Sequence, residues 1–559
     1  MKPTTTAVML SVGLCYLCPR ACLAFHARIP IVQAPVREHV APLSPTATSC
    51  AAAPHAGEVG DERLVWLENF ELDSRGKVML KGLLFSETEQ LMENLGEKPG
   101  RAEVLYGWLY HDRRLIRDIA EIAGGGDEHG TESENNSNNT NINIRATQAK
   151  NRMGRKTREA LGHVATADGG LELEDVQLAA DGTRKLVSVL TSGKGAGKKV
   201  ETVIIPMLRG PQREPRYTVC VSSQVGCAMN CQFCYTGRLG LMANLQAAQI
   251  VEQVLVAKRF LESVGDPAPV TGVVFMGMGE PFDNYDRVMR AVKVLTDPRA
   301  GVRLKASSVT VSTVGLVPQI ERFCEDAGNG ASLAISLHAV TDEIRDKLIP
   351  VNRRYPLAQL SETLRMHFPR ISKPKSKSYS PESSAPFATA ASEEEAANLV
   401  VAAEQGEKQI EVAEQLSPTS DARGELRPTH HDEAKRPRRG RRKSRILAVE
   451  YTLLGGVNDS LEDADRLADW LRGVACVVNL ITFNTHEGTP FSSSSLEASE
   501  DFRQSLTARG QLCTFRDSRG GDGMAACGQL GGESMVGSGD RARKPVPVAW
   551  EPPSTAQAA

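Results

Sequence analysis

The sequence has no excess of charge of either sign: 66 lysines and arginines stand against 68 aspartates and glutamates, a net charge of −2. Without a global positive field, any binding of RNA must come from local patches. Cysteine is also sparse, at 12 in 559 residues, which excludes a disulfide-stabilised scaffold. With 41% hydrophobic residues the chain is globular, and its length requires one large barrel with additions or several ordinary domains.

The amino terminus lacks acidic residues, the first being Glu38. Residues 7–18 form an apolar run that is too short to span a bilayer and has the length of a signal-peptide core. Small residues suited to cleavage follow, and then Phe25. We expect residues 1–60 to be an organellar presequence and linker that resembles the two-part plastid presequence of algae with secondary plastids. Mitochondrial import is the second alternative and secretion the third.

Three segments lack the apolar periodicity of folded structure. Residues 124–144 are rich in glycine, asparagine and serine, and we expect a disordered insert there. Residues 372–444 form a larger low-complexity insert that ends in the basic run KRPRRGRRK at 435–443. A solvated tether is the favoured interpretation of this run, with a nuclear signal or an RNA-binding arm as alternatives. The tail 536–559 is also expected to be disordered.

Between these segments, apolar β-branched runs alternate with amphipathic stretches, and removing the large insert leaves spacings typical of βα repeats. The pattern predicts an α/β fold, a partial (βα)6 TIM-like barrel over residues 217–371 and 445–535. Its chemistry should lie at the carboxyl ends of the strands. The predicted strands are Tyr217–Val225, Gly272–Gly279, Ser308–Gly315, Ser332–Ala339, Ile446–Leu454 and Val478–Asn484.

Two smaller regions precede the predicted barrel. Residues 61–170 are expected to form a small helical accessory domain, because residues 80–111 carry apolar side chains at helical spacing. Residues 171–216 are expected to form a short β-hairpin extension, turned at Asp181-Gly182. This extension places Glu201 beside the barrel mouth.

Three cysteines, Cys227, Cys231 and Cys234, fall within the segment GCAMNCQFCY. A structural zinc site needs four ligands, and no fourth ligand lies nearby at a zinc-like spacing. Disulfides are not expected for an odd cluster of thiols in a reducing compartment. Three thiolates on one loop suit a [4Fe–4S] cluster that leaves one iron without a protein ligand. The C-x3-C-x2-C spacing resembles that of the radical-SAM superfamily, in which the open iron binds S-adenosylmethionine.

Further motifs narrow this resemblance. GMGEP at 277–281 follows the second predicted strand and resembles the GGE-type segment of the superfamily. CVSSQVGC at 220–227 and AACGQL at 525–530 add two thiols, Cys220 and Cys527. With the segments below, these motifs resemble the RlmN/Cfr family of RNA adenine methyltransferases over about residues 80–530, apart from the two inserts. The other segments are VETVIIP (200–206), STVG (312–315), SLHA (336–339), LIPVNRRYPL (348–357), EYTLLGGVNDS (450–460) and NLITFN (479–484).

The resemblance implies a site for the methyl donor at the strand ends. Without it, the serines of this site are explained as helix caps and its histidine as a hydrogen-bonded core residue. Two segments depart from the family pattern: FNTHEGTPF at 483–491 replaces FNPxPGxPY, and Gly523 replaces an aliphatic residue. The implied donor-binding residues are Gly279, Glu280, Ser312, Ser336, Leu337, His338 and Asn484.

The chemistry explains why such a set of residues is needed. C2 of adenine is a poor nucleophile, so a cofactor has to supply the difficult step. The resemblance implies that Cys527 first accepts a methyl group, from which a 5′-deoxyadenosyl radical abstracts hydrogen. The methylene radical adds to C2, Glu201 removes the C2 proton, and Cys220 attacks the Cys527 sulfur to release the methylated RNA. From position alone, a buried strand cysteine is the alternative for Cys220, and a solvated strand residue is the favoured interpretation of Glu201.

The sequence therefore predicts a radical-SAM methyltransferase for C2 of an adenine in large-subunit, 23S-type rRNA, with tRNA as a second substrate. C8 methylation is the alternative within the family. A radical-SAM enzyme acting on protein or small molecules, such as a glycyl-radical activase, would lack the paired thiols, and an RNA-binding Fe–S or zinc scaffold would not cleave S-adenosylmethionine. Expected partners are RNA and an electron donor such as flavodoxin or ferredoxin, for a monomer without stable membrane association. The expected location is the plastid, against the mitochondrion or the cytoplasm usual in the family.

Overall fold

The computed structural model describes ten parts of the chain: residues 70–110, 115–122, 153–207, 214–298, 302–326, 330–370, 446–516, 520–521, 524–526 and 528–531. The predicted presequence, both predicted inserts, the C-terminal tail and Cys527 lie outside these residues. No helix in the described part of the chain is long and apolar enough to cross a membrane.

The fold alternates strands and helices along most of its length. The strands are β1 (Val78–Met79), β2 (Ala165–Thr166), β3 (Leu171–Leu178), β4 (Arg184–Leu190), β5 (Lys199–Pro206), β6 (Tyr217–Cys220), β7 (Gln224–Cys227), β8 (Gly240–Asn244), β9 (Val270–Phe275), β10 (Val309–Thr313), β11 (Ser332–Ser336), β12 (Leu447–Leu453), β13 (Cys476–Thr482) and β14 (Cys513–Arg516). The α-helices are α1 (Phe85–Asn94), α2 (Arg101–Tyr110), α3 (Arg155–Val164), α4 (Tyr235–Arg238), α5 (Ala247–Ser263), α6 (Tyr285–Thr296), α7 (Val317–Glu325), α8 (Asp342–Leu348), α9 (Leu357–His367), α10 (Leu461–Trp470) and α11 (Leu496–Ala508). Short 3-10 helices lie at Leu80–Gly82, Ile119–Glu121, Pro281–Asn284, Ala306–Ser308 and Pro350–Arg353.

A ten-stranded sheet lies at the centre, with seven neighbouring strands parallel in the order β6-β9-β10-β11-β12-β13-β14. Side chains of the inner strands, such as Val311 and Ile335, are buried because helices cover the sheet. The predicted α/β fold with a large parallel sheet is confirmed. The seventh strand, β14, was not predicted, because its sequence CTFR has no apolar run and Phe515 is partly exposed.

The predicted hairpin extension is larger than expected. β3 and β4 pair antiparallel around a turn in which Ala179 N–H donates to Thr183 O (2.8 Å), and Gly182 has a positive φ of 83°. A third strand, β5, pairs with β4 and also, antiparallel, with β6, placing Val203 opposite Cys220. The extension is therefore continuous with the main sheet, and Glu201 belongs to a strand beside the first parallel strand.

The first predicted strand, 217–225, is divided in two. β6 ends at Cys220, and β7 pairs with β8 in a separate two-stranded hairpin. The backbone leaves the main sheet at Ser222, whose N–H and C=O both bond to the side chain of Gln253 (2.8 and 2.9 Å). Side-chain hydrogen bonds thus replace sheet pairing at this point, and the cysteine loop connects the two strands of the extra hairpin rather than following a strand of the main sheet.

The small N-terminal helical region packs on α5. The Tyr110 hydroxyl donates to Lys81 O (3.1 Å), and the Lys81 ammonium lies 2.7 Å from a carboxylate oxygen of Glu252 in α5. Both charged side chains are fully buried. Glu252 also pairs with Arg259 of the same helix, so Lys81 connects the N-terminal region to a buried cluster of charges on α5.

The main sheet is curved, and the C-terminal segment connects its two ends. From β14, Arg516 Nη1 reaches within 3.1 Å of Met276 Sδ, after β9, and 3.5 Å of a Glu450 carboxylate oxygen on β12. Beyond β14, Gly520 N–H donates to Asp181 Oδ2 (3.1 Å) at the β3–β4 turn. The partial barrel is therefore closed by the segment that carries the AACGQL motif.

The large insert lies in the connection from α9 to β12, and the chain on its two sides meets just before β13. Pro369 forms a β-bridge with Val474, and Ala475 N–H donates to Phe368 O (2.7 Å). After the insert, Leu447 N–H donates to Ala475 O (3.0 Å). A short linker can therefore replace the insert without moving a strand.

We expect deletion of residues 372–444, with a short Gly-Ser linker, to leave methylation of naked RNA within about twofold of wild type, because connections tolerate changes in length. The measurement is methyl incorporation at equal soluble protein and equal iron content. A scrambled insert of the same length and composition is the matched control. Loss of activity in the deleted but not the scrambled protein, with a full cluster, would show that the insert takes part in RNA binding or catalysis.

Candidate active site

The three cysteines lie on one short loop at the carboxyl end of the sheet. Cys227 ends β7, Cys231 follows a turn, and Cys234 immediately precedes α4. The turn uses Asn230 with a positive φ of 52°, a conformation that asparagine tolerates better than most residues. Cys234 N–H donates to Cys231 O (3.1 Å). The loop backbone therefore brings the three thiols onto one compact turn.

The chemistry of these thiols fits an iron–sulfur cluster. Burial raises the pKa of all three, that of Cys227 to about 12, so thiolates here require the positive charge of a bound metal. In the described residues no three His, Cys, Asp or Glu side chains converge on a single metal ion. A zinc site needs such convergence, whereas each thiolate of a [4Fe–4S] cluster binds a different iron.

The GMGEP segment lies against this hairpin and requires its glycine. Gly279 has a φ of 98°, and a Cβ there would lie 2.5 Å from the Gln224 Cβ. Glu280 N–H donates to Gln224 Oε1 (2.9 Å), and the Glu280 carboxylate accepts from Phe282 and Val314 N–H (both 3.0 Å). Burial raises the pKa of Glu280 to about 7. Glu280 thus joins the end of β9 to the end of β10 beside the predicted donor site.

Sequence reasoning missed the polar residues that hold these segments together. The Ser222 hydroxyl donates to Glu201 O (2.6 Å) and accepts from Met278 N–H (2.8 Å). Gln224 Nε2 donates to Asp283 Oδ2 (2.8 Å). Both residues belong to CVSSQVGC, which was interpreted only for its thiols. Polar residues inside an apparent strand are the signal that could have identified them, since buried polar groups need partners.

The two predicted serines lie on neighbouring strands. The hydroxyl oxygens of Ser312 in β10 and Ser336 in β11 are 3.2 Å apart. Leu316 and Thr341, not these serines, occupy the N-cap positions of the helices that follow, so the helix-cap explanation is excluded. Leu337, after β11, is fully buried.

His338 is buried in a strained backbone conformation, with a φ of 54°. Its Nδ1 accepts from Thr452 N–H (3.0 Å), so the neutral ring carries its proton on Nε2. Burial lowers its pKa to about 3, which keeps the ring uncharged. The ring packs edge-on against Phe233 of the cysteine loop, with centroids 4.9 Å apart. The contact of Nδ1 is that of a buried, hydrogen-bonded core histidine. The ring also packs against the cluster loop.

Glu201 lies inside the structure, so its interpretation as a solvated strand residue is wrong. The side chain is fully buried; one carboxylate oxygen accepts from Gly531 N–H (2.8 Å), and the other lies 3.6 Å from Lys185 Nζ. Lys185 Nζ also donates to Met524 O (3.0 Å). Cys220, at the end of β6, lies on the strand beside that of Glu201. The predicted base and one predicted thiol are thus neighbours.

Cys527 lies outside the described residues, but residues on both sides of it contact the site. Tyr235 N–H, directly after Cys234, donates to Gly528 O (2.8 Å). Ala526 N–H donates to Gln529 Oε1 (3.3 Å), which keeps the turn compact. The chain that flanks Cys527 therefore runs between the cysteine loop and Glu201.

The segment that departs from the family pattern contacts the cluster loop. Asn484 follows β13, and its Nδ2 donates weakly to Thr482 O (3.4 Å). His486 is buried, its Nε2 lies 3.1 Å from Phe233 O, and its ring packs on Tyr235 with centroids 5.6 Å apart. Sequence reasoning noted the unusual segment but missed His486, which supports the cysteine loop.

An open parallel sheet with three cysteines on a loop at its carboxyl end defines a radical-SAM enzyme. In agreement, residues 221–368 match the sequence profile of the Radical SAM superfamily. The solved radical SAM methyltransferase from Sphaerobacter thermophilus is 31% identical, with a TM-score of 0.56, over 81% of this chain and 98% of that one.

Curated relatives give the family. The dual-specificity RNA methyltransferase RlmN of Anaeromyxobacter sp. (strain Fw109-5) is 36% identical over 472 residues, which are 84% of this chain and 93% of the relative. The protein of the same name from Geobacter sulfurreducens is 33% identical over 454 residues, 81% and 92% of the two chains. The chain belongs to the RlmN family of radical-SAM RNA methyltransferases. The family implies a [4Fe–4S] cluster and S-adenosylmethionine.

The two hydrogen bonds that the Glu280 carboxylate accepts can be tested in the metal-free protein through their effect on stability. Glu280→Ala leaves the Phe282 and Val314 N–H groups without an acceptor, so we expect the free energy of unfolding to fall by about 2–6 kcal/mol, at ~1–3 kcal/mol for each donor. Glu280→Gln keeps one acceptor and should lose less. Urea unfolding of the metal-free proteins at several pH values measures both.

The pH dependence has a defined sign. The pKa of Glu280 rises from 4.5 to about 7 on folding, so the folded protein binds its proton more tightly. The protonated Glu280 therefore contributes to the free energy of unfolding in full below about pH 4.5. This contribution is lost as the pH rises through about 7. The Gln variant should lack this part of the decline, and an identical slope in wild type and variant would contradict the assignment.

Proposed function

We propose that the protein methylates C2 of an adenine in large-subunit, 23S-type rRNA. The observation that carries this proposal is the buried Glu201 carboxylate, which lies beside the strand of Cys220 and bonds to the segment that carries Cys527. A methyl-cysteine route to a ring carbon needs an acceptor thiol, a base and a resolving thiol. Glu201 and Cys220 lie on neighbouring strands, and Gly531, in the segment that carries Cys527, bonds to Glu201, which supports these three roles.

The chain's own residues have separate tasks in this proposal. The cluster with bound S-adenosylmethionine supplies the electron and the radical chemistry. Cys527, as a thiolate, takes a methyl group from S-adenosylmethionine, which leaves as S-adenosylhomocysteine. Once the carbon on Cys527 is attached to C2, Glu201 accepts the proton that leaves C2, and the unpaired electron returns to the cluster. The Cys220 thiolate then attacks the Cys527 sulfur; an S–S bond forms, the C–S bond breaks, and its electron pair remains on the carbon, which takes a proton to complete the methyl group.

Residues of the proposed donor site line the strand ends. Gly279 and Glu280 lie at the end of β9, and Ser312 and Ser336 lie together on β10 and β11. Leu337, His338 and Asn484 complete the proposed set after β11 and β13. We propose that these residues together bind S-adenosylmethionine against the cysteine loop.

The decisive experiment is mass spectrometry of nucleosides from a 23S-type rRNA fragment treated with reconstituted enzyme, S-adenosylmethionine and reductant. We expect 2-methyladenosine with wild type and at least about 100-fold less with Glu201→Gln, since general bases contribute about 10²–10⁴. A product methylated at C8 would establish the alternative regiochemistry. A tRNA substrate in parallel tests the second target, which the words "dual-specificity" in the relatives' names support.

We further propose flavodoxin or ferredoxin as electron donor, a monomeric state, no stable membrane association, and a location in the plastid. The apolar, acid-free amino terminus supports the location, with the mitochondrion as alternative. Fusing residues 1–60 to a fluorescent protein tests it, and fluorescence in the mitochondrion or the secretory pathway would refute a plastid location. Mass measurement during size-exclusion chromatography tests the monomer.

A further inference from the structure

Arg345 is a fully buried arginine behind the cysteine loop. It lies on α8 and donates from Nε to Leu337 O (3.0 Å) and from Nη2 to Val314 O (2.7 Å). Nη1 donates to Asn352 Oδ1 (2.7 Å). The guanidinium therefore ties together the chain after β10, the chain after β11 and the 3-10 helix that follows α8.

All of these acceptors are uncharged oxygens. Asp342 and Asp346 bond to Asn352 Nδ2 (2.8 and 2.6 Å) rather than to the guanidinium. Burial lowers the pKa of Arg345 only to about 10, so the group is charged at neutral pH. A buried charge is costly unless an opposite charge compensates it. Asp342 and Asp346 compensate part of this charge through space, and a negatively charged group held nearby would add to that compensation.

The cysteine loop is the neighbour that can hold this negative charge. Gln232 N–H donates to Leu348 O (2.9 Å), at the end of α8, and Leu348 packs in one cluster with Cys231 and Phe233. Arg345 lies one helical turn before Leu348, so the helix that carries the buried cation is also the helix that contacts the loop beside Cys231.

We propose that Arg345 is a positioning residue whose buried positive charge raises the reduction potential of the cluster held by Cys227, Cys231 and Cys234. Reduction adds one electron to a site that already carries three thiolates. A fixed cation in a poorly polarisable interior stabilises that added charge more strongly than it would in water. Charge and burial are general determinants of cluster potential. The inference rests on the cluster, and not on the proposed RNA target.

The test separates the effect of the positive charge of Arg345 from the effect of its hydrogen-bonding geometry. Arg345→Gln removes the charge and keeps a hydrogen-bond donor, whereas Arg345→Lys keeps the charge and loses the planar fork. The matched control is Arg365→Gln on α9, since Arg365 also donates to two backbone carbonyls, of Trp470 and Arg472 (both 3.1 Å). Full-length proteins are reconstituted anaerobically, assayed for iron and sulfide, and titrated by electron paramagnetic resonance without RNA.

We expect Arg345→Gln to retain the cluster and to lower the equilibrium constant for its reduction about tenfold, which is about 59 mV for a one-electron couple. Arg345→Lys should stay close to wild type, and Arg365→Gln should not move. Equal shifts in the Gln and Lys variants, or an unchanged potential in a fully loaded Gln variant, would overturn the proposal.

A second variant keeps the proposal testable if the Gln protein does not fold. Asp346→Asn retains Arg345 and the acceptor for Asn352 Nδ2 (2.6 Å) but removes a negative charge that partly compensates the guanidinium. We expect a higher potential in this protein, and an unchanged potential with full iron content would refute the role of the charge. An incorrect RNA target would appear only in the product analysis, because the potentials are measured without RNA.

Discussion

Alanine in place of any one of Cys227, Cys231 and Cys234 is expected to remove the cluster. Reconstituted wild type should hold about four irons and four sulfides per chain, as a single [4Fe–4S] cluster requires. Two remaining thiols provide too few ligands for a cluster of this type. Iron and sulfide analysis, together with the visible charge-transfer absorbance, measures the result.

Cys324→Ala is the control for this experiment. Cys324 is also buried, but on α7 rather than on the cysteine loop. It should keep a full cluster and lose at most some stability through the small cavity. Retention of four irons by all three loop variants would exclude the loop as the cluster site, and with it the arrangement of the proposed donor site.

Much of the fold could be predicted because its signals are local. Buried parallel strands produce apolar runs that stand out from the amphipathic helices between them, as at β10, β11 and β12. α5 shows the same kind of local signal, since its apolar periodicity is long and uninterrupted. The cysteine spacing predicted the cluster loop for the same reason: three ligands on one turn are close in sequence.

What could not be predicted depends on contacts between distant parts of the chain. β14 is added at the sheet edge by pairing with β13, although its own sequence is not strand-like. The break after Cys220 depends on Gln253, which lies on α5 and cannot be connected to Ser222 from sequence. Arg345 belongs to no recognised motif, and its burial depends on carbonyl groups from three separate segments.

In the candidate site, too, local motifs could be identified from the sequence, whereas contacts between distant residues could not. Gly279 and Glu280 were identified from one short motif, whereas the support that Lys185 gives to Glu201 crosses from β4 to β5. The contact of Lys185 with Met524 O joins residues far apart in the sequence. Short motifs reveal ligands and reactive groups, while the residues that position them become visible only in the folded protein.

The two extra thiols should fail at different steps when removed. Cys527→Ala has no methyl acceptor, so it should form no methylated sulfur, no RNA product and no covalent complex. Cys220→Ala can accept the methyl group and become attached to C2, but it has no thiolate to attack the Cys527 sulfur. It should therefore accumulate a covalent protein–RNA species, and the double variant should not.

The structure gives a reason to expect this separation. Cys220 lies at the end of β6, next to the strand of Glu201, while Cys527 belongs to a segment anchored independently through Tyr235 and Gly531. Removal of the Cys220 sulfur leaves those anchors unchanged, so the steps before resolution should proceed. The measurement is a denaturing gel of labelled rRNA fragment with S-adenosylmethionine, reductant and each protein.

Cys476→Ala is the control here, because Cys476 is a buried cysteine at the start of β13, at the amino end of a parallel strand and hence opposite the site. Cys476→Ala should methylate the RNA and release it without accumulating a covalent complex. If Cys220→Ala also turned over normally and formed no complex, release would not require a second thiol, and the base at Glu201 would have to act in a different mechanism. A complex in the Cys220 variant alone would instead order the steps: attachment through Cys527 comes first, and attack by Cys220 ends it.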